Sequence, residues 1–481
     1  MKLKTQNIAF YLFALIQVVN IQFSTHHVET LDWDVNAFLV TGLEYGRGNL
    51  PYEFQYENKP PLLFLIFYFF SLITNSNLFY IKIINDILIL LILIMMSNLY
   101  KKSVDDVFSR YTPPLLFLLF TSNVWFHPNY SEYLVIVFLA LAQIFNHTNL
   151  KSQNILIGFS VGLASLINIG SSLFLISFLL IINLEKGLRL FKTITLILGF
   201  SIPHILFLTA YWYNNLLEEY IMATVHVPLS YTNSDFSFTY ALTVFLTALK
   251  NYDLYIYSLL LISIAFLIYK TFRNTIYKIN EPEHYEILIL CISSLLFFYV
   301  AGKGYYHHLI LFLYFISLST KWISKNLNKL IIILIIFISL IGANMSAFQM
   351  TKTNLRNFDN IQSNYPIYQI ASNLKSKIST NEIIFSTHNI LLLYYLDKPN
   401  SSYIVHPALY DYEEITSVLK QYKKIASDEI KNNIQKSPKI IELSNDEFIS
   451  GDYIKLKTDN VNKNLLNYWS KDPPLNIYIK K

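Results

Sequence analysis

Up to residue 347 this chain alternates long apolar runs with short polar loops. Several runs approach the ~20 apolar residues that a helix needs to cross a bilayer. The apolar segments lie at 8–24, 62–79, 81–100, 114–127, 131–147, 155–169, 171–184, 192–212, 252–270, 286–301, 308–320 and 330–347. The pattern predicts a polytopic α-helical membrane protein with about 11–12 apolar helices.

Composition agrees with a membrane protein. Of the 481 residues, 53% are hydrophobic and 14% are charged, and the mean hydropathy is +0.38. A soluble domain carries about 25% charged residues. The net charge of +5 is small for this length, and most basic residues lie in loops and the tail, so nucleic acid is not an expected partner. The single cysteine, Cys291, lies in an apolar run, so neither a disulfide framework nor a Cys/His zinc site is predicted.

Basic residues between the apolar segments predict the orientation, because Lys and Arg are retained on the cytoplasmic side. Lys2 and Lys4 place the N-terminus in the cytoplasm, and later basic loops mark further cytoplasmic connections. The outward-facing parts are then loops 25–61, 128–131, 213–251 and 302–307, and everything after residue 348. We therefore predict a multi-pass protein of the bacterial inner membrane, with membrane lipid as its surroundings.

One stretch conflicts with this orientation. Loop 25–61 is predicted outside and Lys101 inside, yet two apolar segments lie between them, and an odd number of crossings is required. Either 62–79 or 81–100 does not cross completely, or Lys101 and Lys102 are exceptions to the charge rule.

After residue 348 polar and charged residues return, and apolar runs of spanning length stop. Segments 382–387 and 438–444 have the pattern of short strands, 370–378 and 412–435 have helical spacing, and 390–397 fits either. This alternation predicts a small α/β domain. The predicted domains are 1–348, a membrane module, and 349–481, an extracytoplasmic domain.

The loop after the first apolar segment, DWDVNAFLVTGLEYGRGNLPYEFQYENKPP, carries the strongest candidate chemistry. Helix capping and the helix dipole explain well why an acid lies at one of the positions Asp32 and Asp34, but they explain less well why acids lie at both. The alternative for these acids is a general base that takes a proton from an acceptor hydroxyl. Lys59 precedes Pro60 and Pro61, which suit a first helical turn. The lysine is either an interfacial side chain or a point charge for a phosphate.

Two further turns predicted on the outer side carry polar side chains. Glu132, in NYSEYL, is either a partner of a helix dipole, with Ser131 or Asn129 as the cap, or a functional acid. The sequence AGKGYYHHLIL brings a cation and two imidazoles between apolar segments, which suits either an interfacial aromatic belt or a site for phosphate or sugar hydroxyls. The polar residues of this second turn are Lys303, His307 and His308.

The acidic start, the turn GNLPY at 48–52 and the Lys-Pro-Pro-Leu helix entry together resemble the first outer loop of GT-C glycosyltransferases. The likeness is to the group of protein O-mannosyltransferases, aminoarabinose transferases and rhizobial lipopolysaccharide-transferase-like proteins. NYSEYL resembles the second acidic loop of this group, and GKGYYHHLILFLYF resembles its late hairpin, with Leu309 where Tyr is usual. Val35 and Asn58 depart from the group, which often has Asp-Glu at the acidic start and, in some members, an acid directly before the lysine.

The resemblance implies an inverting transferase that moves a sugar from a polyprenyl-phosphate donor to a lipid, glycan or protein acceptor on the outer face. In that role Asp34, with Asp32 beside it, is the catalytic base, and Glu132 orients the donor or acceptor. A divalent metal held by Glu57 or Glu132 is left open, and no other cofactor is implied. The donor phosphate would contact a set of cationic and imidazole side chains: Lys59, Lys303, His307 and His308.

A transporter or flippase of lipid-linked sugars is the competing hypothesis. Transporters place polar residues mid-membrane, often within paired repeats. Here the predicted spans are nearly free of charge, with Asp86 the main exception, and no internal repeat is found. A third hypothesis, a membrane scaffold that presents the tail domain, leaves the loop with Asp34 and Lys59 unexplained.

Overall fold

A computed structural model describes residues 2–30, 32–99, 107–126, 129–184, 189–232, 237–250, 254–277, 279, 281–300, 304–326, 342, 345, 347–379, 381–444, 449, 452–458, 461–467 and 475–481. The apolar segment predicted at 330–347 lies largely outside these residues.

Helices occupy most of the described chain before residue 327. Their bounds are α1 Lys2–Gln22, α2 Trp33–Gly46, α3 Pro61–Ile73, α4 Leu78–Leu99, α5 Val107–Phe120, α6 Ser131–Asn146, α7 Gln153–Ser165, α8 Leu173–Leu184, α9 Leu190–Tyr213, α10 Leu217–Ile221, α11 Val227–Thr232, α12 Phe238–Lys250, α13 Leu254–Ile276, α14 Pro282–Val300 and α15 Ile310–Asn326. A π-helical turn, Met222–His226, joins α10 to α11.

Four helices among the described residues are long and apolar enough to cross a membrane: α4, α9, the part of α13 at Ile256–Ile276, and α14. Helix α3 is also apolar but has 13 residues. A helix of that length spans about 20 Å at ~1.5 Å per residue, against about 30 Å of hydrocarbon. Of the two apolar segments between loop 25–61 and Lys101, the one that forms α4 is therefore long enough to cross, and the one that forms α3 is not. This difference favours the alternative in which 62–79 does not cross completely.

The chain forms two compact units, and each is assembled from separate parts of the sequence. The first contains Met1–Ser24, Asn85–Leu206 and Asp235–Lys352, and the second contains Thr25–Ile84, Phe207–Ser234 and Thr353–Lys481. The predicted outer loop and the tail thus belong to the same unit. The division into a membrane module and an outer domain at residue 348 stays a prediction.

Close helix packing in the first unit depends on glycine. A Cβ added at Gly158 of α7 would lie 2.0 Å from the Leu196 carbonyl oxygen of α9, and one at Gly199 of α9 would lie 2.2 Å from that of Ile155. Small residues let helix backbones approach in this way, which is the usual basis of packing between membrane helices. Any side chain larger than hydrogen at Gly158 or Gly199 would therefore disrupt the contact between α7 and α9.

The second unit contains a four-stranded sheet with four helices from the tail. The helices are α16 Pro366–Lys375, α17 Leu391–Leu396, α18 Glu413–Gln421 and α19 Glu429–Gln435, and the strands are β1 Ile384–Ser386, β2 Ile440–Leu443, β3 Tyr453–Lys455 and β4 Asn476–Lys480. The strand order is β1-β2-β4-β3. Strand β1 pairs with β2 in parallel, and the other two pairs are antiparallel.

The structure confirms the predicted fold class in its main features, a polytopic helical protein with a small C-terminal α/β fold. The strands predicted at 382–387 and 438–444 contain β1 and β2, and the ambiguous segment 390–397 is helical. The helix predicted over 412–435 is wrong as one element, because a turn separates α18 from α19. Placement of this fold on the outer face stays a prediction.

Candidate functional site

The two aspartates at the start of α2 make different interactions. Asp32 is the N-cap residue, with extended backbone angles, and its carboxylate accepts the backbone N–H of Asp34 at 2.8 Å. This is the capping role expected of an Asp before a helix. Asp34 lies in the first turn, and its side chain is free of that task. Capping therefore accounts for Asp32 and leaves Asp34 for another interaction.

Asp34 is hydrogen-bonded to His406, a residue 372 positions further along the chain. The distance from His406 Nε2 to Asp34 Oδ1 is 2.8 Å, and the two side chains are 9% and 23% exposed. His406 Nδ1 accepts the backbone N–H of Ala408 at 3.1 Å. An imidazole nitrogen that accepts a hydrogen bond carries no proton, so the neutral ring donates its Nε2–H to the Asp34 carboxylate. The bond fixes both the tautomer of His406 and the position of the carboxylate.

Sequence reasoning missed His406. It follows the polar-apolar run SSYIV and precedes Pro407, and no local pattern marks it as functional. Burial lowers the pKa of His406, but Glu57 and Asp34 outweigh that effect, so the net direction is upward. Carboxylates raise the pKa of a neighbouring imidazole because they favour its cationic form.

A backbone bridge positions Glu57 in this cluster. Tyr56 donates its N–H to the Tyr403 carbonyl at 2.6 Å and accepts the N–H of Val405 at 3.1 Å. Glu57 directly follows Tyr56, and His406 directly follows Val405, so these backbone contacts bring the two side chains into the same cluster. Glu57 is 2% exposed, and burial raises its pKa to about 7, with His406 and Lys59 acting in the opposite direction and Asp34 adding to the rise. Glu57 Oε2 has no hydrogen-bond partner among the residues that the structure describes.

Lys59 is half-buried and close enough to Glu57 to lower the pKa of that carboxyl. Within the described ranges its ammonium makes no hydrogen bond and no ion pair, so it is available to an anion. The backbone carbonyl of Lys59 accepts a short hydrogen bond from the Tyr52 hydroxyl. Pro60 is the N-cap of α3 and Pro61 begins the helix, without a capping side chain. The two prolines thus have the structural role expected of them.

The turn between the acids and the lysine is held by backbone contacts of buried tyrosines. Gly48 and Tyr52 both have positive φ, +83° and +73°, which is uncommon for a residue other than glycine. The Tyr403 hydroxyl donates to the Tyr52 carbonyl at 2.6 Å, and the Tyr211 hydroxyl donates to the Pro51 carbonyl at 3.1 Å. Such strain persists where surrounding structure enforces it, often at functional sites. These hydrogen bonds hold the part of the loop that leads to Lys59.

These residues combine a carboxylate hydrogen-bonded to an imidazole, a second carboxylate and a cation. We refer to Asp34, Glu57, Lys59 and His406 as the acidic-loop cluster. Its carboxylates and imidazole are ligand types that divalent ions of the zinc or manganese kind accept. Glu57 Oε2, which is buried and has no hydrogen-bond partner in the described part of the chain, fits such an ion. Asp34 and Lys59, which both lie near Glu57, fit proton removal in the vicinity of an anionic group.

A second group of predicted residues meets in the first unit. His308 Nε2 lies 3.9 Å from Glu132 Oε1, and one ligand atom each of Glu132, His307 and His308 lies within 4.8 Å of the others. All three side chains are buried. The N-cap of α6 is Tyr130, and its side chain makes no capping bond, so the cap proposed at Ser131 or Asn129 is wrong. Of the predicted site residues, Lys303 lies outside the described residues.

No protein-family model and no curated protein sequence matches this chain. Among solved structures, the chain is similar to ArnT from Cupriavidus metallidurans in the apo state, with a TM-score of 0.56. The two chains are 13% identical, and the match covers 89% of this chain and 90% of that one. The likeness extends over most of both chains and gives this protein a GT-C-like membrane fold.

Proposed function

We propose that this protein is a membrane glycosyltransferase that uses a sugar linked to a polyprenyl phosphate. The observation that carries the proposal is the Asp34–His406 hydrogen bond, 2.8 Å long. The same cluster holds Lys59, whose ammonium makes no ion pair within the described residues. The GT-C-like fold supports the same function, because ArnT is a transferase of that class. The acceptor is a hydroxyl of a lipid, glycan or protein.

In the proposed reaction Asp34 is the general base. Its carboxylate takes the proton of the acceptor hydroxyl while the acceptor oxygen attacks the anomeric carbon of the sugar. The bond between that carbon and the phosphate oxygen breaks, and its electron pair leaves with the phosphate. One displacement of this kind inverts the anomeric centre. His406 donates to the Asp34 carboxylate and acts as a positioning residue, and Asp32 acts as the helix cap.

Lys59 is proposed to stabilise the departing lipid phosphate. Negative charge increases on that group as the glycosidic bond breaks, and a cation held there stabilises the transition state more than the ground state. The Lys59 ammonium has no ion pair within the described part of the chain. A lysine binds phosphate as a point charge, which suits a headgroup at the membrane surface.

We further propose that the reaction takes place on the outer face, with residues 349–481 extracytoplasmic. The positive-inside rule supports this orientation, because Lys2 and Lys4 precede the first apolar segment. A lipid-linked donor agrees with that placement, since its phosphate lies at headgroup depth.

The test is sugar transfer by the purified full-length protein in lipid nanodiscs, from radiolabelled donors of several polyprenyl-phosphate sugars to extracted envelope lipids and glycans. We expect transfer with at least one donor, and a loss of about 10²–10⁴-fold in Asp34→Asn, which is the range that general-base catalysis contributes. Equal rates in the parent and in Asp34→Asn would remove Asp34 as the base. Donor movement across proteoliposomes without transfer would instead support the transporter hypothesis.

A further inference from the structure

A cavity of about 660 Å³ lies in the first unit, where the ends of six helices meet. Its lining comes from the last residues of α6, α8 and α13 and from the first residues of α7, α9 and α14. We propose that this cavity binds a phosphate ester, held by Arg189, Lys192 and Asn274. The site belongs to the first unit, whereas the acidic-loop cluster belongs to the second, and it does not depend on the proposed transfer reaction.

Two cations of the lining have no counterion. Arg189 directly precedes α9, and Lys192 lies in the first turn of that helix. Positions three apart share one face of a helix, and both side chains are half-buried. Within the part of the chain that the structure describes, neither the guanidinium nor the ammonium makes a hydrogen bond or an ion pair. Positive charge at a helix N-terminus also opposes the helix dipole, so an anion at this end is favoured by the cations and by the helix.

The carboxylates of the lining, in contrast, already have partners. Glu286 lies 3.2 Å from His147 Nε2 and accepts a hydrogen bond from Asn146 Nδ2 at 3.3 Å. Glu283 forms an ion pair with Lys321 at 2.6 Å. The charges of the lining that remain for a ligand are therefore positive, and the cavity should attract an anion.

A buried amide gives an independent sign of a ligand. Asn274, near the end of α13, lines the cavity and is 1% exposed. Its Nδ2 is buried and has no hydrogen-bond partner among the described residues. Buried donors without an acceptor are rare, because the group loses its hydrogen bonds to water and gains none in return. An oxygen atom of a bound ligand would supply the acceptor.

A phosphate ester matches these groups better than a small inorganic anion does. A phosphate offers negative charge and several acceptor oxygens, which suit a guanidinium, an ammonium and an amide N–H together. The rest of the lining includes the polar side chains Thr275 and Tyr285 and the apolar ones Ile181, Ile182 and Ile279. The volume is in the range of pockets that hold organic ligands, ~300–1,000 Å³. The cavity therefore has room for a phosphate and for the organic group that it esterifies.

The predicted orientation places this cavity on the cytoplasmic side. The connections around it are basic, with Lys151 and Arg273 close by in the sequence, and such connections stay in the cytoplasm. The phosphate ester is then either the headgroup of an anionic phospholipid or a soluble phosphorylated compound. Basic pockets between membrane helices on this side hold anionic headgroups in other proteins. A ligand there would bind on the face opposite to the proposed reaction and would not compete with its donor.

The test measures how the full-length, delipidated protein binds two probes. Dioleoyl phosphatidylglycerol is titrated into protein in detergent and counted by native mass spectrometry, and glycerol 3-phosphate is titrated calorimetrically into protein in phosphatidylcholine nanodiscs. Arg189→Gln and Lys192→Gln should each weaken binding about tenfold, since each removes a charged hydrogen-bond donor. Asn274→Leu should weaken it about fivefold through the loss of a neutral donor. Binding of the lipid alone assigns the site to a headgroup, and binding of glycerol 3-phosphate assigns it to a soluble ester.

Arg273→Gln is the matched control. Arg273 directly precedes Asn274, is exposed and does not line the cavity, so its removal changes the charge of the same face by the same amount. It should leave both affinities unchanged. Since Asn274→Leu alters a buried side chain, Arg189→Lys is the second variant. It keeps the cation and should retain binding within about threefold of the parent, with thermal unfolding as the check on folding of every variant.

The proposal is overturned if the parent protein binds neither probe, or if Arg273→Gln weakens binding as strongly as Arg189→Gln. Loss of binding in Lys59→Gln but not in Arg189→Gln would assign the phosphate to the acidic-loop cluster and would also overturn it. Asp34→Asn should keep the parent affinity while losing sugar transfer. Failure of this site and failure of the proposed reaction are therefore distinguishable.

Discussion

Replacing His406 by alanine tests whether the tail positions the catalytic base. The substitution removes the hydrogen bond from Nε2 to Asp34, which is 2.8 Å long. A hydrogen bond to a charged group contributes ~1.5–3 kcal/mol. His406 is 9% exposed and Asp34 is 23% exposed, so solvent screening removes part of that energy and we take about 2 kcal/mol. If the bond acts fully in the transition state, this corresponds to about a 30-fold fall in kcat/KM.

The assay is transfer of a labelled sugar across a range of pH, with thermal unfolding as a check on folding. Besides the lower rate, the acidic limb of kcat/KM should move to higher pH in His406→Ala, because the lost bond favoured the ionised carboxylate. His406→Gln should recover part of the rate, since an amide N–H can donate to Asp34. A purely structural role of His406 predicts no movement of the pH profile.

His388→Ala is the matched control. His388 belongs to the same unit and contacts the neighbouring Trp33, with ring centroids 5.1 Å apart. Its substitution should leave the pH profile unchanged. The reasoning is refuted if His406→Ala retains the parent rate, or if both histidine variants lose the same activity.

Three further predictions concern charge and packing. The pKa of Glu57 is about 7 in the folded protein against 4.5 for the free group, so the free energy of unfolding falls as the pH rises from 4.5 to 7. Glu57→Gln should remove this pH dependence and stabilise the protein at pH 8 by on the order of 3 kcal/mol. The prediction is contradicted if the difference in Tm between pH 5 and pH 8 is the same in the variant and the parent. Lys59→Gln should lower kcat/KM for the donor about tenfold, ~1.4 kcal/mol, mainly through kcat, with Tm unaltered and partial recovery in Lys59→Arg; an unaltered kcat/KM argues against stabilisation of the departing phosphate. Gly158→Ala should lower Tm by several degrees because its Cβ would meet the Leu196 carbonyl at 2.0 Å. Gly342→Ala is the control, since a Cβ there meets no atom of the described residues within 4 Å; equal Tm values would contradict the packing.

The local part of the candidate site could be predicted from the sequence. Asp32 has the residue type and the position of an N-cap, and the structure places it there. The prolines before α3 begin a helix as expected. These features depend on a few consecutive residues, because capping and the fixed φ of proline act within one helical turn. Glu132, His307 and His308 were each singled out from their turns, but not as one group.

Two features of the tail needed information that its local pattern does not contain. Strands β3 and β4 were not predicted, since short strands acquire stability from the partners they pair with. The antiparallel pairing of β2 with β4 joins Ile441 to Tyr478. The break between α18 and α19 was also missed, because the helical spacing continues through it.

The sequence by itself determined that this is a polytopic helical protein, because the length and apolarity of a run decide whether a helix is stable in lipid. It also located the acidic loop, whose polarity stands out between two apolar segments. Only the tertiary structure decided what Asp34 contacts. His406 is 372 positions away, and it reaches the carboxylate through the bridge between Tyr56 and Ile404. The burial of Glu57 and its raised pKa also depend on the tertiary structure. They are properties of the surroundings that the folded chain creates, which no short stretch of sequence specifies.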